Sequence, residues 1–211
     1  MKQYFIFGAL LLLGISGCKK DDGPSVDPQI EEARKLAALQ DQFHGKYRLI
    51  SAVADQNVDI NMDGFASNNL LTEIPELQLE NHPNIVELRI YGPNHIIANA
   101  GFLLSQGWPE QYIWNNNKEW DGGPDFEYKD GLSVSYANQG TVRQFTFTED
   151  LKEITVQRNT NENPFRWVAP ESVKINNAGL LHFVNKRYLY TKEGVKQVTI
   201  QSVYQRFTKE T

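Results

Sequence analysis

Residues 44–53 read His-Gly-Lys-Tyr-Arg-Leu-Ile-Ser-Ala-Val, and this stretch decides the fold. After the glycine, Tyr47, Leu49, Ser51 and Val53 recur at every second position. Successive side chains of a strand point to opposite faces, so this spacing predicts a β-strand that buries one face. Similar segments recur to the end of the chain, which predicts an all-β protein.

The segments downstream with strand character are short and separated by turn signals. They are Ile85–Tyr91, His95–Ala100, Phe126–Tyr128, Leu132–Tyr136, Val142–Thr148, Ile154–Arg158, Val173–Ile175, Leu180–Tyr190 and Val195–Phe207. Turns are predicted at Gly92-Pro93-Asn94, Asp130-Gly131, Asn138-Gln139-Gly140, Asn177-Ala178-Gly179 and Glu193-Gly194, because glycine and asparagine adopt the backbone angles of tight turns. Such regular spacing favours a sandwich or a barrel.

A helix is predicted ahead of the first strand. Pro28 suits a first helical turn, and Glu31 and Glu32 would lie near the positive N-terminal end. Apolar residues then recur at roughly helical spacing, at Ile30, Ala33, Leu36, Ala37, Leu39 and Phe43. Gly45 is expected to end this helix.

The N-terminus has the composition of a secretory signal. Lys2 precedes an apolar run from residue 4 to residue 13, which is too short for a comfortable membrane span, and the chain becomes polar after Cys18. The stretch Leu13-Gly14-Ile15-Ser16-Gly17-Cys18 resembles the lipobox of bacterial lipoproteins. The resemblance implies cleavage after residue 17 and lipidation of Cys18, while an ordinary cleaved signal peptide is the alternative.

The lipobox divides the chain into a signal peptide (residues 1–17), a lipidated cysteine with a flexible tether (18–28) and a barrel domain (29–211). Lys19-Lys20-Asp21-Asp22 resembles the signal that sends lipoproteins of Bacteroidetes-type bacteria to the outer face of the outer membrane. We therefore expect a surface-exposed protein held at the outer membrane by acyl chains on Cys18. A tether facing the periplasm is the alternative.

Composition narrows the choice of partners. The net charge is −5, and it becomes −6 when residues 1–17 are removed with their single charge, Lys2. An acidic chain is a poor partner for nucleic acid, which requires a basic surface. With Cys18 acylated, the chain has no thiol left for a disulfide or a cysteine-bound metal, so a hydrophobic core must stabilise the domain.

Three features resemble lipocalin-like barrels. His44-Gly45-Lys46-Tyr47 resembles the Gly-x-Trp signature of their first strand, with Tyr47 in place of tryptophan. Arg206 resembles the arginine that lipocalins place against that aromatic residue to close the barrel, and an exposed Arg206 is the alternative. Residues 58–64 and 67–74 resemble a segment of lipocalin-like lipoproteins of uncharacterised function. The resemblance implies an antiparallel lipocalin-like β-barrel with a short N-terminal helix. Its interior would be lined by Tyr47, Leu49, Phe145, Phe147, Ile200 and Tyr204.

The segment after the first strand contains an acidic loop. Asp59, Asn61 and Asp63 alternate and Gly64 follows, which matches the first half of a calcium loop. The Phe65 carbonyl, Ser67 and Glu73, the last on a short helix beginning at Ser67, would complete the ligand set. Leu70 stands where an EF-hand has its bidentate glutamate. The loop predicts a structural Ca²⁺ site, and the alternative is a turn whose side chains bond their own backbone.

An aromatic segment suggests where a ligand binds. Residues 106–125 are rich in Gly, Pro and Asn, and we expect a long loop over one end of the barrel. Trp108, Tyr112, Trp114 and Trp120 would stack on sugar rings there, or close the barrel mouth around an apolar ligand. Alternatively, the tryptophans fold inward as a hydrophobic plug.

No catalytic motif is present in the sequence. Asp121, Asp125 and Glu127 could form a glycosidase-type pair, and a small hydrolase is our third hypothesis. The simpler alternative is that residues 121–125 form a turn. The first is a non-enzymatic, lipid-anchored binding protein of the outer membrane that holds a small apolar or amphipathic ligand. The second is a surface carbohydrate-binding or envelope-interaction protein that uses the loop from Trp108 to Trp120.

Overall fold

A computed structural model describes residues 27–78, 85–92, 101–159, 161 and 163–211. Its elements are α1 (Pro28–Phe43), β1 (Gly45–Val58), β2 (Ser67–Asn69), α2 (Leu70–Glu73), a 3₁₀ turn (Pro75–Gln78), β3 (Ile85–Arg89), β4 (Phe102–Asn115), β5 (Lys118–Glu119), β6 (Val134–Phe147), β7 (Glu153–Val156), β8 (Ser172–Ile175), β9 (Leu181–Thr191) and β10 (Gly194–Thr208). Cys18, residues 1–26 as a whole and the predicted strand His95–Ala100 lie outside the described residues.

Eight strands close into a barrel. They follow the order β1-β3-β4-β6-β7-β8-β9-β10, each antiparallel to its neighbour, and β10 pairs again with β1. The short strands β2 and β5 are additions that pair with β1 and β4. The predicted all-β, antiparallel lipocalin-like barrel with a short N-terminal helix is confirmed.

The barrel closes where α1 ends. Asp27 caps the start of this helix by accepting a hydrogen bond from the Gln29 amide, and Phe43 is its buried last residue. Gly45 follows with φ of 137°, and a Cβ atom there would lie 2.1 Å from the Thr208 carbonyl oxygen. Only glycine allows β1 to begin this close to the end of β10.

The predicted face of β1 is correct only in its first half. Tyr47 is buried, but the pairing with β10 shifts by one residue between Leu49 and Ser51. Such a bulge exchanges the two faces of the strand. As a result Ala52 is buried, whereas Val53, predicted to face inward, is exposed.

The predicted loop over residues 106–125 is wrong. Half of this stretch, residues 106–115, belongs to β4, which pairs with β6 over twelve positions, and β5 then forms a hairpin with the end of β4. Only residues 120–125 are irregular. The inward-facing residues of β4 are Leu104, Gln106, Trp108 and Glu110. Two of the four are polar, so the strand lacks the hydrophobic alternation that reveals a half-buried strand in a sequence.

Two smaller predictions nearby are also wrong. Residues 126–128 form no strand, because Phe126 and Tyr128 pack against Trp120 and Tyr190 instead of joining the sheet. Residues 138–140 are not a turn, because they lie inside β6, where Gly140 pairs with Gly107 of β4. The predicted turns at 130–131 and 177–179 are present.

Inside the barrel, a polar layer separates two apolar clusters. The cluster at the α1 end includes Phe43, Tyr47, Leu104, Phe145, Phe183 and Tyr204. The second cluster includes Ala52, Ile60, Leu70, Trp108, Leu189 and Ile200. Between them lie the buried side chains of Gln106, Asn185, Arg187 and Ser202. Together with buried Glu110, which follows Trp108 on β4 and bonds to Arg187, they form what we call the interior polar layer.

Candidate functional site

The four aromatic residues predicted to bind a ligand do not share one surface. Trp108 and Trp120 are each 3% exposed, whereas Trp114 is 54% exposed near the end of β4. Trp108 packs inside the barrel, with the Arg187 guanidinium 4.7 Å from its ring centroid. For Trp108 and Trp120 the arrangement matches the alternative in which tryptophans fold inward.

Tyr112 and Trp120 are joined by a buried arginine. The Arg166 guanidinium lies 4.2 Å from the Tyr112 ring centroid and 5.8 Å from that of Trp120. Arg166 also donates hydrogen bonds to the carbonyl oxygens of Gln111 (2.9 Å) and Trp120 (2.6 Å). These contacts hold the two rings in a packed cluster, so Tyr112 and Trp120 stabilise the end of the β4–β5 hairpin.

The interior polar layer contains an ion pair. Arg187 donates to Glu110 at 2.5 Å, and Gln106 donates to the Asn185 side-chain oxygen at 3.3 Å. Arg187 Nε, Gln106 Oε1 and the Tyr204 hydroxyl make no hydrogen bond of good geometry to the described residues. Burial raises the pKa of Tyr204 to about 12. At this level of the barrel, buried polar side chains bond one another across the interior.

Tyr47 and Arg206 meet at the closure of the barrel. They are partners in the pairing of β1 with β10, as the lipocalin resemblance implies. The Tyr47 hydroxyl donates to the Phe43 carbonyl oxygen at 2.7 Å. The Arg206 guanidinium donates to the carbonyl oxygens of Asp41 (2.9 Å) and His44 (3.3 Å). Both side chains thus satisfy carbonyl groups left open at the end of α1.

The acidic loop is folded around its own backbone. Asp59 Oδ2 accepts from the Gly64 amide at 3.0 Å, Asn61 Oδ1 from the Asp63 amide at 3.0 Å, and Asp63 Oδ1 from the Phe65 amide at 2.8 Å. These bonds correspond to the alternative of side chains that bond their own turn. The Phe65 ring is exposed on the same loop.

The remaining predicted Ca²⁺ ligands are divided between two elements. Ser67 lies in β2 and accepts from the Asn69 amide at 3.0 Å. The helix carrying Glu73 therefore begins at Leu70, behind an Asn69 cap, rather than at Ser67. Asp59 Oδ1 is buried without a hydrogen bond, which suits a cation ligand. However, the described part of the chain contains no group of three acidic, histidine or cysteine side chains arranged to hold a metal. Calcium binding stays a prediction.

Glu73 is a buried carboxylate beneath this loop. It is 2% exposed, and its Oε2 accepts from the Ile60 amide at 3.0 Å. Burial raises the pKa of Glu73, while hydrogen bonds from the amides of Ile60 and Asn61 lower it and the charges of Asp59 and Asp63 raise it further. Glu73 therefore fixes the start of the loop through its hydrogen bond with the Ile60 amide.

A cavity of about 350 Å³ opens beside Glu73, and we call it the acidic pocket. Its walls come from the acidic loop, the segment after α2 and the start of β6. The apolar and aromatic lining residues are Ile60, Met62, Pro75, Leu132, Val134 and Tyr136, and the polar ones are Asn61, Glu73 and Glu76. Burial raises the pKa of Tyr136, and the nearby charge of Glu76 raises it further.

Most of this pocket is not predicted by the sequence. Asn61 and Glu73 are predicted as calcium ligands, but no role is predicted for Glu76 or Tyr136. One signal was available, because Glu73 stands among Leu70, Leu71 and Ile74, and an acid among apolar residues predicts an unusual buried charge. The contribution of β6, about sixty residues further along the chain, had no such signal.

A second cleft of about 240 Å³ is lined by residues that include Arg143, Arg166 and Trp167. The acids considered for a hydrolase are elsewhere and are exposed. Asp121 accepts from the Gly123 amide at 2.9 Å within a turn, and Asp125 and Glu127 follow on the same exposed segment. This arrangement adds no support to the hydrolase hypothesis.

Comparisons with known protein families, with curated proteins and with solved structures found no match. Among the described residues, no helix is both long and apolar enough to cross a membrane. The fold defines the chain as an all-β antiparallel barrel closed at one end by a helix. Its function must therefore be argued from the acidic pocket.

Proposed function

We propose that this protein is a lipid-anchored binding protein of the outer membrane that holds a small apolar or amphipathic ligand in the acidic pocket. The proposal is carried by the pocket itself. Its volume of about 350 Å³ falls in the range of roughly 300–1,000 Å³ typical of ligand sites. Apolar walls with a few polar groups are also typical of such sites.

The location of the pocket on the chain supports this proposal. It joins the acidic loop to β6, so residues distant in the sequence converge on one cavity. The anchor is inferred from the lipobox, since acyl chains on Cys18 would each contribute about 0.8 kcal/mol per buried CH₂ group. The membrane would then be contacted through Cys18, and the barrel would be free to bind its ligand.

The test is to fill the pocket without touching the barrel interior. Val134 lines the pocket, whereas Val142 lies on the same strand and is exposed. With the neutral fluorescent probe N-phenyl-1-naphthylamine, we expect Val134→Trp to weaken binding at least ~10-fold, about 1.4 kcal/mol, and Val142→Trp to leave it unchanged. Leu132→Trp serves as a second filling variant, and circular dichroism verifies that each variant is folded. Equal binding by all four proteins would reject the pocket as the ligand site.

A surface carbohydrate-binding or envelope-interaction protein is the second candidate, and one observation favours it. Trp114 remains exposed beside the Asn-rich turn that joins β4 to β5. An exposed indole next to amide side chains suits a sugar ring. On a glycan array we expect Trp114→Ala to abolish any binding that the wild-type protein has, and Phe65→Ala, which removes another exposed ring, to retain it. Full binding by Trp114→Ala would exclude this function for Trp114.

A further inference from the structure

We propose that the ligand of the acidic pocket carries a cationic group, such as a protonated amine, and that Glu73 and Glu76 receive it. This inference rests on the proposed function, because it names the chemical class of ligand for the same pocket. The ligand would be an amphipathic cation with a compact apolar body. Three features of the pocket favour such a ligand, namely its charge, its burial and its shape.

The first feature is the charge of the pocket wall. Glu73 and Glu76 line the cavity, and none of the nine residues described around it is basic. Lys192 approaches the same loop, but its ammonium group donates to the Met62 carbonyl oxygen at 2.5 Å. The wall is therefore negative, and a cation entering the cavity meets two carboxylates and no competing positive charge among these lining residues.

The second feature is the burial of Glu73. A buried carboxylate is unfavourable unless it is paired and hydrogen-bonded. The Ile60 amide supplies a hydrogen bond at 3.0 Å, but no ion pair joins Glu73 to a basic side chain in the described part of the chain. Burial raises the pKa of Glu73 and so favours its neutral form. A ligand cation beside it would favour the charged carboxylate, in a place where water screens their attraction little.

The third feature is the shape of the remaining wall. Ile60, Met62, Leu132 and Val134 form an apolar surface, and Tyr136 adds an aromatic ring beside the acids. Apolar surface binds a hydrocarbon body, and an aromatic ring attracts a cation placed over its face. An anionic amphiphile would bring its own charge against Glu73 and Glu76, so the pocket disfavours it.

The experiment uses three probes that share one alkyl chain and differ in the charge of the head group. These are octylammonium, octanol and octanoate, each titrated calorimetrically into the soluble domain, residues 19–211, at neutral pH. We expect octylammonium to bind at least ~10-fold more tightly than octanol, about 1.4 kcal/mol, and octanoate to bind most weakly.

Variants assign the preference to the two acids. Glu76→Gln removes one charge, and Glu73→Gln removes the other while keeping an oxygen that can accept from the Ile60 amide. Each is expected to lower octylammonium affinity severalfold and to leave octanol affinity unchanged. Glu149→Gln, in an exposed turn, is the matched control and should bind all probes as the wild type does.

The possible results separate this inference from the proposed function. Equal affinity for octylammonium and octanol would overturn the cation inference and leave the pocket as a ligand site. Failure of all three probes would reject an alkyl-binding pocket and the proposed function with it. A preference for octylammonium that both glutamine variants retain would also overturn the inference, because the charge would then be recognised elsewhere.

Discussion

Three side chains at the junction of α1 and β1 bond to backbone groups that would otherwise be left open. Tyr47 and Arg206 donate to carbonyl oxygens at the end of α1, and His44 Nδ1 accepts from the Ile90 amide at 3.0 Å. Buried backbone groups without partners cost free energy, so these bonds stabilise the closed end of the barrel. The resemblance to lipocalins implies that Arg206 lies against the Tyr47 ring, and the two residues are partners in the pairing of β1 with β10. It could not predict that the guanidinium bonds the helix, because that bond depends on where the helix packs.

His44 makes this junction sensitive to pH. Burial lowers the pKa of His44 below its ordinary value of 6.5, and its Nδ1 can accept from Ile90 only when that nitrogen carries no proton. A pKa that is lower in the folded state means that the unfolded chain binds the proton more tightly. The stabilisation is therefore present above about pH 6.5 and is lost as the pH falls through the lowered folded-state pKa.

We predict that the urea midpoint of the wild-type domain falls between pH 7.5 and pH 5.5, a window that surrounds the ordinary histidine pKa of about 6.5. His44→Gln should weaken this fall, because glutamine does not titrate. His182→Gln is the control, since His182 lies elsewhere on the barrel, in contact with Asn176. A wild-type midpoint that does not change over this range would contradict the role of His44.

At the scale of elements, β4 explains why part of the fold could not be predicted. Strands with a clear apolar face, such as β1 and β10, are visible in the sequence. The inner face of β4 carries Gln106 and Glu110, whose partners Asn185 and Arg187 lie on β9, about eighty residues away. A strand whose buried face is polar looks like a loop until its partners are known. The same polarity favours the prediction of a loop, in which Trp108, Tyr112, Trp114 and Trp120 would be exposed to a ligand.

The interior polar layer gives a prediction about stability. Removing one member of a buried ion pair leaves the other charge unpaired, which typically costs about 3–5 kcal/mol. We expect Arg187→Met to lower the free energy of unfolding by about that amount, because Glu110 stays buried. The double variant Arg187→Met with Glu110→Leu should recover much of the loss, because replacing both partners by apolar residues is often nearly neutral.

Lys186, next to Arg187 in the sequence, provides the control for the free energy of unfolding. Lys186 forms a surface ion pair with Glu171 at 3.1 Å, and both side chains are exposed. Exposed pairs contribute roughly 0–1 kcal/mol, so Lys186→Met should change the urea midpoint little. Equal losses in Arg187→Met and Lys186→Met would show that the buried pair does not stabilise the barrel as we infer.

The acidic loop between β1 and β2 gives a prediction about calcium. Ca²⁺ binding would stabilise the folded domain by about 2.7 kcal/mol at a hundred times its Kd. We therefore expect calcium to raise the thermal midpoint of the wild-type domain and EDTA to reverse the rise. The double variant Asp59→Asn with Asp63→Asn should lose the rise in thermal midpoint with calcium. The new asparagine side-chain oxygens can still accept from the Gly64 and Phe65 amides, so the turn itself is kept. An unchanged wild-type midpoint would leave the loop as a turn stabilised by its own side chains.

At the scale of the whole molecule, β1 separates the end of α1 from the acidic pocket. This strand begins at Gly45, beside the end of α1, and runs fourteen residues to Val58, where the acidic loop begins. At about 3.3 Å per residue, a strand of this length spans the barrel. The acidic loop follows the far end of this strand, so the acidic pocket and the end of α1 lie at opposite ends of β1.

This arrangement predicts that the anchor and the barrel are independent. In a host that processes lipoproteins, the wild-type protein should partition into the detergent phase of Triton X-114, because more than one acyl chain gives stable anchoring. Cys18→Ala should move to the aqueous phase with an unchanged thermal midpoint, since Cys18 precedes the tether. Its affinity for N-phenyl-1-naphthylamine should also be unchanged, because the pocket lies at the far end of β1.

A Cys18→Ala protein that stays in the detergent phase would mean that another part of the chain holds the membrane. A loss of probe binding would mean that the anchor acts on the pocket.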